Sequence, residues 1–358
     1  MAIAQAHGDQ PQVEARRTLA FEVREAAEAD RADWDEIVAA HPGAAGYHEW
    51  AWRGVFQRSF GHEAPYLVAR RGLVTEGVLP LVEIRSRLFG HFLTSLPYVN
   101  YGGVLARTEA AAGALVEAAR HLSRTRGCRH LELRHMSRQC PGVPVRQHKV
   151  TMRLAIDGDL WGRLDRKVRN QVRKARKSGL SVERGDAGLL SDFYAVFARN
   201  MRDLGTPVCS RRFFSEIVGA FPDRTRVLVV RQGDTPVAAG ISYRTGCTVE
   251  IPWASSLRAF NSLCPNHLLF WHAIEAALGE GARVFDFGRS TPNEGTFKFK
   301  AQWGAEPVSL NWEYPHLEGG VPDQGPTNPR FQAAIAVWKR CPLWLTNTLG
   351  PRLVRGIP

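Results

Sequence analysis

The sequence predicts an α+β protein of two similar modules in tandem, each a mixed, mostly antiparallel sheet flanked by helices. Three internal echoes carry that prediction. First, a hairpin pattern occurs twice, as Tyr66-Leu67-Val68-Ala69-Arg70, Gly72 and Val78-Leu79-Pro80-Leu81, then as Val227-Leu228-Val229-Val230-Arg231, Gly233 and Val237-Ala238-Ala239-Gly240-Ile241. Second, a helix closing on glycine and feeding a strand recurs, as Gly127 before C-R-H-L-E-L-R and Gly281 before A-R-V-F-D-F-G-R. Third, two helical segments precede each hairpin. Alternation bounded by glycine turns is the mark of paired strands, whereas apolar residues at 3.6 spacing mark helices.

Taken in order, residues 1–18 lack an apolar signal core and read as a disordered lead-in. Residues 19–150 form the first module, opening with helices over Asp33 to Ala40 and Tyr47 to Phe60. Residues 151–315 form the second. Its helices are well punctuated: Phe193, Phe197, Met201 and Leu204 lie at helical spacing before Gly205, and Ser210 stands as an N-cap before R-R-F-F-S-E-I-V. Residues 316–329, rich in Gly and Pro, read as a linker, and 330–358 as a C-terminal amphipathic segment whose tryptophans and cations suit a membrane interface.

Composition bounds the function. At 358 residues, with 44% hydrophobic and 23% charged residues, the chain can bury two full cores. No apolar run is long enough to span a bilayer, and the expected location is the cytoplasm. Six cysteines are scattered without C-x-x-C spacing, and the twelve histidines include no pair spaced to hold zinc on a helix, so no metal is expected. The +12 net charge is local: the stretch Arg163 to Lys177 carries a net seven of those charges. Over 159–179 it reads as one amphipathic helix, with Trp161, Leu164, Val168, Val172 and Ala175 on its apolar stripe. Lys167, Arg169, Arg173 and Lys174 on the polar face would grip a phosphate or nucleic-acid backbone.

The densest chemistry lies in Val284–Gly304, V-F-D-F-G-R-S-T-P-N-E-G-T-F-K-F-K-A-Q-W-G. A strand ending at Gly288 delivers Arg289 and Ser290 to a sheet edge, where α/β folds place ligands. A second strand-like run carries Lys298 and Lys300. The candidate catalytic residues are Asp286, Lys300 and Arg289: the cations would hold anionic groups and steady a developing oxyanion, and Asp286 would orient them or accept a proton. Ser290, Thr296, Lys298 and Trp303 are candidate substrate contacts, joined from the first module by Tyr98, Asn100 and Tyr101 of L-P-Y-V-N-Y-G-G. The twin strand Leu131-Glu132-Leu133-Arg134 lacks both the glycine and the F-K-x-x-W-G continuation, and the site is expected in the second module.

The strings D-F-G-R-S-T-P-N-E-G-T-F-K-F-K-A-Q-W-G-A-E-P, R-N-M-R-D-L-G-T-P-V-C-S-R-R-F-F, L-D-R-K-V-R-N-Q-V-R-K-A and S-R-L-F-G-H-F-L-T-S-L-P-Y-V-N-Y-G-G together resemble the FemAB-like proteins of the GNAT superfamily. More narrowly, they resemble the FemAB-related proteins associated with exosortase (PEP-CTERM) and exopolysaccharide systems. The resemblance covers roughly residues 20 to 355 and implies two tandem GNAT-like domains. It implies an acyl- or aminoacyltransferase that forms an amide or ester on a cell-envelope glycan, exopolysaccharide, peptidoglycan or lipid-linked precursor. No cofactor would be tightly bound; the donor would be aminoacyl-tRNA or acyl-CoA. The F-K-x-x-W-G residues Phe299, Lys300, Trp303 and Gly304 match the Fem segment bearing a substrate-contacting lysine. The basic segment is far shorter than the Fem coiled-coil arm, which bears on tRNA use. Asn261 and Leu263 occupy the glycine positions of the R-x-x-G-x-G/A pattern that holds pyrophosphate in acyl-CoA enzymes, which weighs against an acyl-CoA-dependent N-acetyltransferase. The reading from another class is a non-catalytic adaptor binding nucleic acid or an anionic membrane, with peripheral contact at the inner face of the cytoplasmic membrane.

Overall fold

The computed structural model describes residues 20–321 and 329–357. The expected lead-in over 1–18 lies outside them, as do residues 322–328 of the expected linker. In chain order the first half contributes β1 (Glu22–Glu25), α1 (Arg31–Ala40), α2 (Ala51–Phe60), β2 (Leu67–Arg71), β3 (Val74–Leu79), β4 (Val82–Ser86), β5 (Gly90–Thr94), β6 (Leu105–Ala106), α3 (Glu109–Thr125), β7 (His130–His135) and β8 (Val145–Ala155). The second contributes α4 (Leu160–Arg163), α5 (Arg166–Lys177), β9 (Leu180–Gly185), α6 (Leu190–Leu204), α7 (Arg211–Ala220), β10 (Thr225–Gln232), β11 (Thr235–Thr245), β12 (Thr248–Ser256), α8 (Pro265–Gly279), β13 (Val284–Ser290), α9 (Gly295–Ala301) and β14 (Glu306–Leu317). Two helices close the chain, α10 (Pro329–Trp338) and α11 (Leu343–Val354).

The strands form a four-stranded sheet, β1-β2-β3-β6, and a ten-stranded sheet, β4-β5-β7-β14-β8-β13-β12-β11-β10-β9. The repeat is visible in the large sheet: β5 pairs with β7 in parallel, and β12 with β13 in parallel, with the other pairs antiparallel. Pro80 explains why the halves are not identical. Where β11 runs unbroken for eleven residues, its counterpart is split into β3 and β4 around Leu79-Pro80-Leu81, because proline has no N–H to donate to a ladder. The first module's sheet therefore divides in two.

The last strand of each half crosses over. β8 pairs with β13, and β14 pairs with β7, the two crossed strands lying side by side at the centre. The boundary expected at residue 150 thus falls inside β8, in the middle of a continuous sheet. One apolar core likewise draws on both halves, joining Trp34, Trp52 and Phe56 to Phe193, Phe213 and Tyr243. A second fills the space under α5 and α8, and a third lies beneath α3.

Several expectations need correction. The run carrying Lys298 and Lys300 is a helix, not a strand. Its F-K-F-K alternation mimics a strand period, but helical spacing puts Phe299 and Trp303 on one face, 6.3 Å apart, and Lys300 inward. The basic segment is two helices, not one over 159–179. Asp159 caps α4 through Gly162 N at 2.9 Å; the chain turns extended at Leu164, and Asp165 caps α5 through Lys167 N at 2.6 Å. Residues 316 and 317 of the expected linker belong to β14. The C-terminal segment packs back on the body, burying Thr346 and Gly350, the latter against Val208.

Candidate active site

β12 and β13 pair only over Thr248–Glu250 and Val284–Asp286 and then diverge. Just past the last paired residues, β13 bulges: its register against β8 shifts between Asp286 and Arg289. Gly288 makes the bulge, with φ +74° that a side chain would strain, and a Cβ there would lie 3.1 Å from Asn100 Nδ2. The bulge turns two carbonyls inward. Lys300 Nζ donates to Gly288 O at 2.9 Å and to Arg289 O at 3.0 Å, committing two of its three N–H groups. Burial pushes its pKa down to about 8, although Asp286 and Glu250 favour the charge. Lys300 is foremost the clasp of the bulge.

Asp286 is fully buried and saturated. It accepts from Thr151 Oγ1 at 2.5 Å, Gly288 N at 2.8 Å, Tyr101 O–H at 3.3 Å and Arg153 Nε at 3.3 Å. A carboxylate so held positions its neighbours. Beside it on β12 lies Glu250, which the sequence reading passed over. Burial, and then the Asp286 carboxylate, raise its pKa to about 8. Asn100 Nδ2 donates to Glu250 Oε1, and the Tyr47 hydroxyl lies beside it. Asn100, Tyr101 and Tyr47 all come from the first module, so the carboxyl pair of the second is walled by the first.

Arg289 is half-buried, and its pKa is lowered to about 10 by burial and then by Arg134. That neighbour is the arginine of the twin strand, so the first copy brings its own charged pair to the same place. Glu132-Leu133-Arg134 on β7 corresponds to Asp286-Phe287-Gly288-Arg289 on β13, with the bulge glycine inserted. Arg134 Nε donates to Glu132 Oε1 at 2.8 Å, and the Tyr314 hydroxyl donates to Glu132 Oε2 at 2.7 Å, as Tyr101 does to Asp286. The guanidinium carbons of Arg134 and Arg289 lie 4.2 Å and 5.6 Å from the Trp312 ring centre.

The remaining expected residues distribute as follows. Ser290 is buried with an unpaired Oγ next to the bulge. Trp303 is buried against Phe287 and lines a cavity of about 260 Å³ shared with Arg153, Leu160, Arg163, Leu164 and Gly304. Through Arg153 this cavity adjoins Asp286. Thr296 and Lys298 are exposed on α9 and are not brought into the cluster. Tyr98 is turned away: its ring stacks on Phe60 at 4.1 Å, and its hydroxyl donates to Arg355 O and meets His62 Nε2, both at 2.8 Å. It fastens the C-terminal segment to the first module. Lys167, Arg173 and Lys174 are exposed on α5 and Arg169 is half-buried; Arg173 lies over Trp161. α5 packs on α8, where Cys264 S–H donates to Gln171 at the start of α8.

Two trios hold metal-ligand types close together, Glu83-His91-Cys128 and His135-Cys140-Glu313. In the second, His135 Nδ1 donates to Glu313 and its Nε2 accepts from Val104 N, while Glu313 also accepts from Gln139 N and Cys140 N. In the first, Glu83 is engaged by Arg85, Arg126 and His91. A separate cavity of about 180 Å³ opens beneath α8 among Arg184, Arg226 and Arg244, whose donors go to Glu280 and backbone carbonyls.

Residues 162–301 match the GNAT acetyltransferase domain family. Among curated proteins, none matches the sequence. Among solved structures, the chain is similar to FemX, at 14% identity and TM-score 0.64, over 88% of this chain and 100% of that one. It is similar also to a tandem GNAT protein from the clavulanic acid biosynthesis pathway, at 13% identity and TM-score 0.54, over 84% and 100%. L-PGS from Bacillus licheniformis matches at 10% identity and TM-score 0.53, over 88% and 97%. The second module thus carries the match to the GNAT acetyltransferase domain, and over 88% of its length the chain has a tandem GNAT fold like that of FemX.

Proposed function

We propose that the protein is an acyl- or aminoacyltransferase that forms an amide or ester on an envelope glycan, exopolysaccharide or lipid-linked precursor. The observation that carries this reading is Glu250: a buried carboxyl with its pKa near 8, at the divergence of the two parallel strands, walled by residues of both modules. An amine or hydroxyl of the acceptor would attack the acyl carbon of an activated ester. As the new C–N or C–O bond forms and the ester or thioester bond breaks, Glu250 would take the nucleophile's proton and the leaving group would be protonated in turn. A base with pKa near the working pH suits that task. Asp286, Lys300 and the Gly288 bulge would hold the strand geometry, and positioning would supply much of the acceleration.

The donor would be aminoacyl-tRNA or acyl-CoA. Both are polyanions, and α5, lying across the start of α8 with Lys167 and Lys174 exposed, fits their phosphates in charge. Transfer assays with each donor class on a lipid-linked sugar and a peptidoglycan precursor test the reading. Product formed by wild type and lost in Glu250→Gln supports it; product from neither donor with any such acceptor sinks it. An adaptor that binds RNA or vesicles alone is the competing outcome.

Peripheral contact with the inner membrane surface is favoured by one feature. Residues 329–357 carry five cations and no acid, with Trp344 70% and Val337 63% exposed. Flotation with anionic vesicles, reduced in Trp344→Ala, is the expected result. Among the described residues no helix is long and apolar enough to cross a membrane.

A further inference from the structure

Across the seam between the modules, β7, β14 and β8 place Arg134, Trp312 and Arg146 in register, Trp312 pairing with both arginines. Arg134 is 1% exposed, yet Nη1 and Nη2 have no partner among the described residues; Arg289 Nη1, at the same ring, is likewise enclosed and unpaired among them. Buried guanidinium N–H groups in native proteins are paired almost without exception, and leaving them unmade is costly. Among the described residues around Arg134 and Arg289, charge is unbalanced as well. Glu132 is held below the usual carboxylate range by contacts with Arg134 and Tyr314 that outweigh its burial, and of the Arg134 nitrogens only Nε reaches it. Burial and Arg134 disfavour the charge of Arg289, and Glu132 and Glu250 offset them only in part. His148, edge-on to Trp312 at 4.6 Å with Nδ1 unpaired, is kept neutral by burial and by neighbouring cations, with its pKa at about 4. It brings no counter-charge.

We propose that Arg134 and Arg289, braced on Trp312, form a clamp for an oxyanion, a carboxylate or phosphate carried by the substrate, at the junction of the modules. The word substrate rests on the transferase reading above; the clamp itself does not. The two forks present planar pairs of N–H donors, and an oxyanion placed among them satisfies the three unpaired nitrogens and the excess charge together. Because one arginine comes from each copy of the repeated strand, the clamp exists only when the modules are joined. It also gives the degenerate twin strand a purpose: it lost the bulge but kept the arginine.

Direct binding to the full-length protein tests this without any transfer assay. Inorganic phosphate and acetate are titrated by calorimetry and by melting temperature, with chloride at matched ionic strength as the reference. Saturable binding of phosphate, acetate or both by wild type is expected, and which of them binds tells phosphate from carboxylate. Arg289→Gln should weaken it by about 10-fold or more, the effect of losing a charged hydrogen bond. Arg289→Lys should recover part of the loss, since it restores charge but not the fork. Arg134→Gln should do the same as Arg289→Gln if it folds; where it does not, the half-buried Arg289 carries the test. No saturable binding of either anion by wild type, or equal binding by wild type and Arg289→Gln, overturns the clamp. Oxyanion binding intact alongside a failed search for transfer would sink the enzyme reading and leave the clamp standing.

Discussion

At the residue scale, the two groups with the largest displaced proton affinity near neutrality pull in opposite directions with pH. Glu250 has a folded pKa raised to about 8, so the folded state holds its proton over a range where the unfolded chain has lost it. Its contribution to stability is full below about pH 4.5 and is lost as pH rises through about 8. Glu250→Gln keeps the neutral shape, and so should melt near wild type at pH 5 and above it at pH 8.5. The same variant should lose transfer by about 10² to 10⁴. An unchanged melting difference across that range would mean Glu250 is ionised throughout. Lys300 is the converse case, its folded pKa lowered to about 8. Between about pH 8 and 10.5 the unfolded chain binds more protons, so wild type should gain stability relative to Lys300→Met as pH rises through that window. At pH 7 Lys300→Met should cost about 1–3 kcal/mol, because two carbonyls of the bulge lose their buried donor. The grouping is legible in sequence: Asp286, Arg289 and Lys300 come from one short stretch and lie together around the Gly288 bulge. Glu250 was missed because Thr248-Val249-Glu250-Ile251 reads as an ordinary strand. Its signal was an acid at a position where both neighbours are apolar. Arg134 is signalled by the repeat itself, although its strand lacks the glycine.

At the element scale, Gly288 decides where the functional carbonyls and the Arg289 side chain point. Gly288→Ala meets a left-handed backbone and crowds Asn100 Nδ2 at 3.1 Å. A cost of about 1–2 kcal/mol is expected from denaturant unfolding, with a larger relative fall in transfer, since Asn100 is also the partner of Glu250. A stability loss with full activity would reduce the bulge to a fold feature. The α9 segment shows why local pattern misled: the F-K-F-K within this seven-residue helix satisfies strand alternation as well as a helix turn, and the burial of Lys300 with Phe299 packed toward Trp303 is what the helix gains. The break between α4 and α5 is similarly invisible to the apolar stripe, which continues through Leu164 in either conformation. The caps Asp159 and Asp165 were its signal, six residues apart where one helix needs one cap. On the proposed role of the exposed α5 cations, which acts through charge, Lys167→Glu with Lys174→Glu should weaken polyanionic donor binding strongly at low salt and little at high salt. Salt-independent weakening would point to misfolding of α5 instead.

At the scale of the whole molecule, the repeat announced two modules but could not announce how they join. Periodicity reports what one strand buries, not which neighbour it pairs with, and β8 and β14 have the same alternating character whether they stay in their own module or cross. In the structure both cross, so each module's sheet is completed by the other's last strand. The candidate site depends on this: Thr151 and Arg153 on β8 reach Asp286, and Trp312 on β14 meets Arg134. A cut at residue 150 would sever β8 in mid-strand, leaving β7 and the C-terminal part of β14 with exposed edges and both halves with open apolar faces. Neither 20–150 nor 151–358 alone should fold cooperatively, and both should aggregate on expression. A cut in the loop between β7 and β8, at the exposed turn around Pro141-Gly142, spares every strand. Fragments 1–141 and 142–358 produced together should therefore associate, recover a single unfolding transition and regain oxyanion binding, because β14 still reaches β7 across the break. Independent folding of the 151–358 fragment, with its own sharp transition, would show instead that the crossed strands are dispensable and that the seam is a contact between two self-sufficient domains.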